Sequence, residues 1–135
     1  MKPALAKVLT LLIPLFLLGE GLWGLFSPVV FGVFTTNRTH AVVHILLGGV
    51  GLVARQRGSL KSFFGFLGSL LVVVAVIWLV PATRAIPSDL LNLNGAGAAL
   101  NLVLGAVALV IAFTAAPQRR FGLPTTGRTR APFQS

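Results

Sequence analysis

Four long apolar segments constrain this chain more than any other feature. They cover residues 4–26, 39–54, 62–82 and 93–116 and contain few charged side chains. An α-helix rises about 1.5 Å per residue, so about 20 apolar residues cross the roughly 30 Å hydrocarbon layer of a bilayer. The segment at 39–54 is short for this, so we expect either a thin membrane there or a helix that begins near Phe34. The pattern predicts an all-α integral membrane four-helix bundle over residues 1–116.

Composition agrees with a bilayer rather than water as the solvent. Hydrophobic residues make up 56% of the 135 residues and charged residues 10%, whereas soluble domains average about 25% charged. The absence of cysteine excludes disulfides, thiolate metal sites and iron–sulfur clusters. A signal peptide over Lys2–Leu18 is the competing interpretation of the first segment. No small-residue cleavage site follows it, which favours a retained membrane anchor.

The distribution of basic residues predicts the orientation in the membrane. With the N-terminus inside, four spans place nine basic residues on the cytoplasmic side and two, Arg38 and Arg84, on the other. The nine are Lys2, Lys7, Arg55, Arg57, Lys61, Arg119, Arg120, Arg128 and Arg130. Such a bias is typical of topology in the bacterial inner (plasma) membrane, so we predict that both termini are cytoplasmic. Residues 117–135 are predicted to be a basic, disordered cytoplasmic tail.

The second and fourth segments match each other when the chain is shifted by 57 residues. Seven of the seventeen positions from Asn37 to Val53 are then identical, including Asn37 with Asn94 and Gly48 with Gly105. The match predicts two tandem helical hairpins related by an axis along the membrane normal. Small residues let helix backbones approach closely, so Gly48, Gly97 and Gly105 are predicted at helix contacts.

A set of polar residues falls within or beside the apolar segments. It comprises Glu20, Asn37, His40, His44, Asn94 and Asn101. Counted along the helices, Glu20, His44 and Asn101 lie at similar depths, so we predict a Glu20–His44 hydrogen bond or ion pair, with Asn101 nearby. Ionisable groups inside a membrane are costly and are functional candidates by default.

Three hypotheses account for this polar cluster. The groups satisfy one another and fix the register of the helices, or they bind a metal or haem, or they conduct protons or a small solute. Histidines four residues apart on a helix can share a metal, with Glu20 as a third ligand. The inner halves of the segments lack polar relay residues, which argues against a complete pathway.

The layout resembles a bacterial family of uncharacterised four-span membrane proteins, domain of unknown function 4383. The resemblance rests on the short basic N-terminus, the segment Asn37-x2-His40-x3-His44-x3-Gly48, and a related polar segment opening the fourth span. It extends over residues 4–116. The chain has Gly97 and Asn101 where many relatives would have histidine. The resemblance implies a fold and no activity.

No catalytic motif is present, so we predict that the chain is not an enzyme. Asp89, after Pro87 and Ser88, is predicted to cap the helix that begins at Leu90. The expected function is that of a structural or accessory membrane subunit, and the alternative is a ligand- or metal-binding protein that uses the polar cluster near the outer face. We predict no cofactor. The expected partners are the lipid bilayer and a second copy or another membrane subunit, and no nucleic acid.

Overall fold

The computed structural model describes residues 3–114, which form five helices and a two-stranded hairpin. The helices are α1 (Pro3–Gly24), α2 (Arg38–Arg57), α3 (Leu60–Leu79), α4 (Ala85–Leu91) and α5 (Gly95–Thr114). The strands β1 (Val29–Val30) and β2 (Phe34–Thr35) pair antiparallel between α1 and α2. The fold is therefore all-α in its main body, as predicted. The predicted tail at 117–135 lies outside the described residues.

The four long helices correspond to the four predicted segments, with shifted ends. α2 has 20 residues and continues to Arg57, three residues beyond the predicted end at residue 54. The helix ends at Gly58, whose positive φ of 72° suits glycine, and the Gly58 N–H donates to the Ala54 carbonyl. Of the described helices, α1, α3 and α5 are long and apolar enough to cross a membrane. α2 is less apolar because it contains two histidines and three arginines.

The long helices pack as two pairs, α1 with α2 and α3 with α5. A Cβ atom added at Gly48 would lie 2.7 Å from the Pro14 carbonyl oxygen and 2.8 Å from the Leu18 nitrogen. One added at Gly105 would lie 3.0 Å from the Gly68 oxygen and from the Val72 nitrogen. Gly48 and Gly105 therefore lie at close contacts between the backbones of paired helices.

Gly97 is also predicted at a helix contact. A Cβ atom there would meet the Leu93 side chain at 2.7 Å. Leu93 precedes α5, so the atoms nearest this position belong to the connection before its own helix. The helix contact at Gly97 stays a prediction.

The two pairs share a core of large apolar side chains. Leu17 of α1, Phe64 and Leu67 of α3, and Ile111 of α5 are almost wholly buried. The same cluster includes Ile13, Ala54 and Ala108. The hairpin and α4 lie together at one end of the molecule, which we call the cap end.

The cap end contains two elements that the sequence did not predict. The hairpin turns at Phe31 and Gly32, both with positive φ, and places the Phe31 ring 5.1 Å from that of Trp23. α4 has Pro87 at its third position, where the missing N–H costs nothing because first-turn amides lack helical partners. Asp89 lies inside α4 and caps no helix, so that prediction is wrong.

Hydrogen bonds across the cap follow the 57-residue shift. The Asn37 amide donates to the Leu90 carbonyl, and the Asn94 amide donates to the Val33 carbonyl. Both the donors and the acceptors are 57 residues apart, since 94 − 37 = 57 and 90 − 33 = 57. The two bonds therefore join positions that are equivalent under the 57-residue shift.

Candidate functional site

Three ionisable side chains lie buried together just below the cap. Glu20 of α1, with His40 and His44 of α2, are 5%, 4% and 5% exposed. The two histidines are four residues apart and share a face of α2. Gly21 allows this face to approach α1, because a Cβ atom there would lie 2.6 Å from the Ala41 oxygen. The glycine beside Glu20 thus brings the carboxylate to the histidines.

The three side chains form a chain of contacts that ends on the backbone of α4. The His40 Nδ1 lies 3.0 Å from the Leu91 carbonyl oxygen. The His40 Nε2 lies 3.1 Å from the His44 Nε2. The His44 Nδ1 lies 3.2 Å from Oε2 of Glu20. The contact predicted between Glu20 and His44 is present.

The order of these contacts restricts where the protons sit. A carbonyl oxygen only accepts, so His40 carries its proton on Nδ1 and offers a lone pair at Nε2. His44 then donates from Nε2 when the two rings hydrogen-bond. The Nδ1 of His44 faces the carboxyl of Glu20.

Glu20 lies close to His44 without an aligned hydrogen bond. The 3.2 Å contact joins Oε2 to the His44 ring, yet Oε2 has no aligned hydrogen-bond donor among the described residues. Burying a polar atom without a hydrogen-bond partner is costly. Glu20 is therefore the group of the cluster whose polar atoms are least satisfied within the described residues.

A cavity of about 200 Å³ adjoins the histidines between the two helix pairs. His40, His44 and Asn101 supply its polar atoms, and the rest of its wall is apolar. Asn101 is 5% exposed and makes no side-chain hydrogen bond to the cluster in the described part of the chain. Asn101 thus faces the same space as the histidines, and no hydrogen bond joins its side chain to Glu20 or His44 among the described residues.

The other two predicted cluster residues have a different role. Asn37 and Asn94 precede α2 and α5, and their side-chain oxygens accept from the backbone N–H of His40 and Gly97, each at 2.9 Å. Each is an N-cap that satisfies an amide without a helical partner. The predicted set of six therefore divides into a buried cluster, a cavity residue and two caps.

The second hairpin lacks an equivalent cluster. The positions that correspond to Glu20, His40 and His44 are Val74, Gly97 and Asn101. The shift is 57 residues for the second helix of each pair. It is 54 residues for the first helix, because Gly48 contacts Pro14 and Leu18 whereas Gly105 contacts Gly68 and Val72. The ionisable groups therefore belong to the first pair of helices only.

The geometry changes the metal hypothesis. Within residues 3–114, no three His, Asp or Glu side chains are grouped to hold a metal ion. Glu20 contacts Nδ1 of His44, on the other side of the ring from the Nε2 that faces His40. Glu20 is therefore not placed to be a third ligand beside the two Nε2 atoms. The Leu91 carbonyl, which contacts Nδ1 of His40, is a backbone group, and no feature of the sequence predicted its position.

A comparison with family models identifies the family to which the chain belongs. The model described as Domain of unknown function (DUF4383) matches residues 26–114, which is most of the sequence. The chain belongs to the DUF4383 family. The match includes α2 to α5 and both histidines, whereas α1 with Glu20 lies before it, although the resemblance was expected from residue 4. Neither a curated protein nor a solved structure matches this DUF4383 chain.

Proposed function

We propose that the chain is a small multi-pass inner-membrane protein, with four crossing helices and both termini cytoplasmic, that serves as a structural or accessory subunit rather than an enzyme. The observation that carries this proposal is the packing of α2, the least apolar long helix, along the whole of α1. The two histidines of α2 are buried inside the protein, and its exposed polar side chains lie in the first and last turns of the helix.

Contacts along the α1–α2 pair support a fourth crossing. Near the cap, Gly21 packs on Ala41, and midway Gly48 packs on Pro14. At the far end, Arg55 donates to the Lys7 carbonyl at 3.0 Å. Since α1 and α2 run side by side in opposite directions, a membrane that α1 crosses also contains α2. Twenty residues at about 1.5 Å each supply the required roughly 30 Å.

Charge at the end opposite the cap supports the orientation. The connection between α2 and α3 lies at that end and follows two arginines, Arg55 and Arg57, with Lys61 just after it. Basic residues concentrate on the cytoplasmic side of membrane proteins. We therefore assign the cap end, which has two exposed arginines, Arg38 and Arg84, to the outside.

The outward faces of the helices support a role as a membrane subunit. Leu12, Leu46, Val73 and Phe113 are among the many large apolar side chains that remain exposed. In a bilayer such faces contact lipid or another helix. The short cap and short turns leave little surface for recognising soluble molecules, so the proposed partners are a second copy or another membrane protein.

Cross-linking in the native membrane tests the subunit role. A photo-reactive amino acid at Leu46 or Phe113, on exposed faces of α2 and α5, is expected to give a discrete cross-linked product of protein partner or second copy. The matched control is the buried Leu67, which should give none. Cross-links to lipid alone at several exposed positions on every helix would contradict the subunit role.

The alternative function is a ligand or metal site near the outer face. The observation that favours it is the cavity beside His40, His44 and Asn101, three nitrogen-bearing side chains in an otherwise apolar wall. Helix register alone does not require a cavity at this place.

A further inference from the structure

The cavity beside the histidines contains a buried polar side chain without a partner. Asn101 of α5 is 5% exposed and lines the cavity, and its amide makes no hydrogen bond among the described residues. The other polar groups of the wall, His40 and His44, already contact each other through their Nε2 atoms. The Asn101 amide is therefore the group of the wall that is available to a ligand.

The internal repeat shows what fills the corresponding space in the first helix pair. Leu91 and Leu70 line the cavity, and the positions equivalent to them are Phe34 and Phe16, since 91 − 34 = 57 and 70 − 16 = 54. The ring of Phe31 packs on both, with its centroid 6.5 Å from that of Phe34 and 6.2 Å from that of Phe16. At the equivalent place, the chain thus supplies an aromatic ring of its own.

A small side chain corresponds to that ring on the side of the cavity. The residue 57 positions after Phe31 is Ser88, whose hydroxyl donates to the Leu93 carbonyl at 3.3 Å. Serine has no ring to pack on Leu70 and Leu91, and the space beside them is the cavity of about 200 Å³. An apolar cavity of about 150 Å³ binds benzene. This cavity therefore has room for one six-membered ring with a small substituent.

We propose that the cavity binds the phenolic ring of a lipid-soluble molecule, with the phenol hydroxyl hydrogen-bonded to Asn101. The inference deepens the alternative function, a ligand site, and rests on it. The ring packs on the apolar wall as Phe31 packs on its two partners. A hydroxyl accepts from the Asn101 N–H and donates to its amide oxygen. A carbonyl only accepts and an acyl chain does neither, so both leave polar atoms of Asn101 without a partner.

The position of the cavity suits a ligand that comes from the bilayer. The cavity lies between α2 and α3, which belong to different pairs, and Leu47 and Val74 on these helices line it and are half-buried. The adjacent residues Leu46 and Val73 are 62% and 54% exposed. In a bilayer such faces contact lipid, so the boundary between the pairs is open to a ring dissolved in the hydrocarbon.

The test is photolabelling of the detergent-purified full-length protein with 4-azidophenol. Its azide loses dinitrogen on illumination and attaches the ring to nearby residues. The matched probe is 4-azidotoluene, which has a methyl group in place of the hydroxyl. Mass spectrometry of the peptides is expected to find 4-azidophenol on the α2 and α3 residues of the cavity wall. An excess of 4-methylphenol should suppress this labelling.

Two substitutions separate the hydrogen bond from the space. Asn101→Leu keeps the size of the side chain and removes its polar groups, so the ratio of 4-azidophenol to 4-azidotoluene labelling should fall by roughly 2- to 10-fold, the effect of one hydrogen bond. Partitioning of the probes into detergent cancels in this comparison. Val74→Phe places a ring in the cavity and should suppress labelling of the wall. The matched control is Val73→Phe on the exposed face of α3, which should label as the wild type does.

Three results would overturn the proposal. These are labelling that 4-methylphenol does not suppress, a probe ratio that Asn101→Leu leaves unchanged, and equal labelling of the wall in Val74→Phe and Val73→Phe. An unchanged ratio with suppressible labelling of the wall would exclude the phenol while an apolar ligand site stands, so the two failures are distinguishable. If Asn101→Leu fails to fold, the wild type decides, because 4-methylphenol should suppress its labelling more strongly than toluene at equal concentration in the micelle.

Discussion

The contact at Gly48 gives a sharp test of how α1 and α2 are held together. Gly48→Ala would place a methyl group 2.7 Å from the Pro14 oxygen and 2.8 Å from the Leu18 nitrogen. Both are backbone atoms, so the helices must separate. Overpacking of this kind costs about 1–3 kcal/mol. Replacing a helical glycine by alanine stabilises a helix by about 0.5–1 kcal/mol. We therefore expect a net loss of stability of up to about 2.5 kcal/mol.

The neighbouring glycine provides the matched control. A Cβ atom at Gly49 would meet nothing within 4 Å. Gly49→Ala should therefore be neutral or stabilise by up to about 1 kcal/mol. The assay is reversible unfolding in mixed micelles, with helicity followed as denaturing detergent increases. The difference between the two variants isolates the overpacking cost, and equal stabilities would refute the close contact at Gly48.

Other contacts lead to further predictions. In a double-mutant cycle, Glu20→Ala and His44→Ala should show a coupling energy of about 0.5–3 kcal/mol, and losses that simply add would argue against their contact. Asn37→Ala and Asn94→Ala should each lower the free energy of unfolding by about 0.5–2 kcal/mol through the lost N-cap; an unchanged stability in either would contradict the capping role. A reporter enzyme fused to the C-terminus should be active only in the cytoplasm, and activity outside would require an odd number of crossings.

The long helices and the contact between Glu20 and His44 could be predicted from the sequence, because each depends on a local pattern of residues. Twenty or so apolar residues without a break indicate a helix wherever they occur. His40 and His44 share a face by their spacing, and Glu20 between two glycines indicates a close approach of another helix. Counting residues along two antiparallel helices placed Glu20 and His44 at similar depths, which was sufficient to predict their contact.

The structure of the cap end could not be predicted from the sequence, because it depends on tertiary contacts. The hairpin has two residues per strand and is fixed by Phe31, which packs on Trp23. α4 is short and contains Pro87, and Arg84 before it makes no side-chain capping bond. Without α4 in place, no pattern could show that the Leu91 carbonyl would orient His40. The same gap led to the wrong assignment of Asp89.

The 57-residue match was informative beyond the helices it aligned. It paired Asn37 with Asn94, and the structure gives both the same N-cap and the same kind of bond across the cap. It also paired His44 with Asn101, which differ in chemistry, and here the two hairpins diverge. Equivalent backbone positions follow from a repeat, whereas the contacts of a side chain depend on what occupies the other positions around it.

Labelling of single cysteines on either side of α2 tests the central claim of four crossings most directly. The chain has no cysteine, so Val33→Cys in the hairpin and Ser59→Cys in the α2–α3 turn each introduce one exposed thiol. In intact cells, a membrane-impermeant maleimide is expected to label Val33→Cys and to leave Ser59→Cys unlabelled until the membrane is permeabilised. Equal labelling of both thiols in intact cells, or equal protection, would show that α2 does not cross the membrane and would contradict the account.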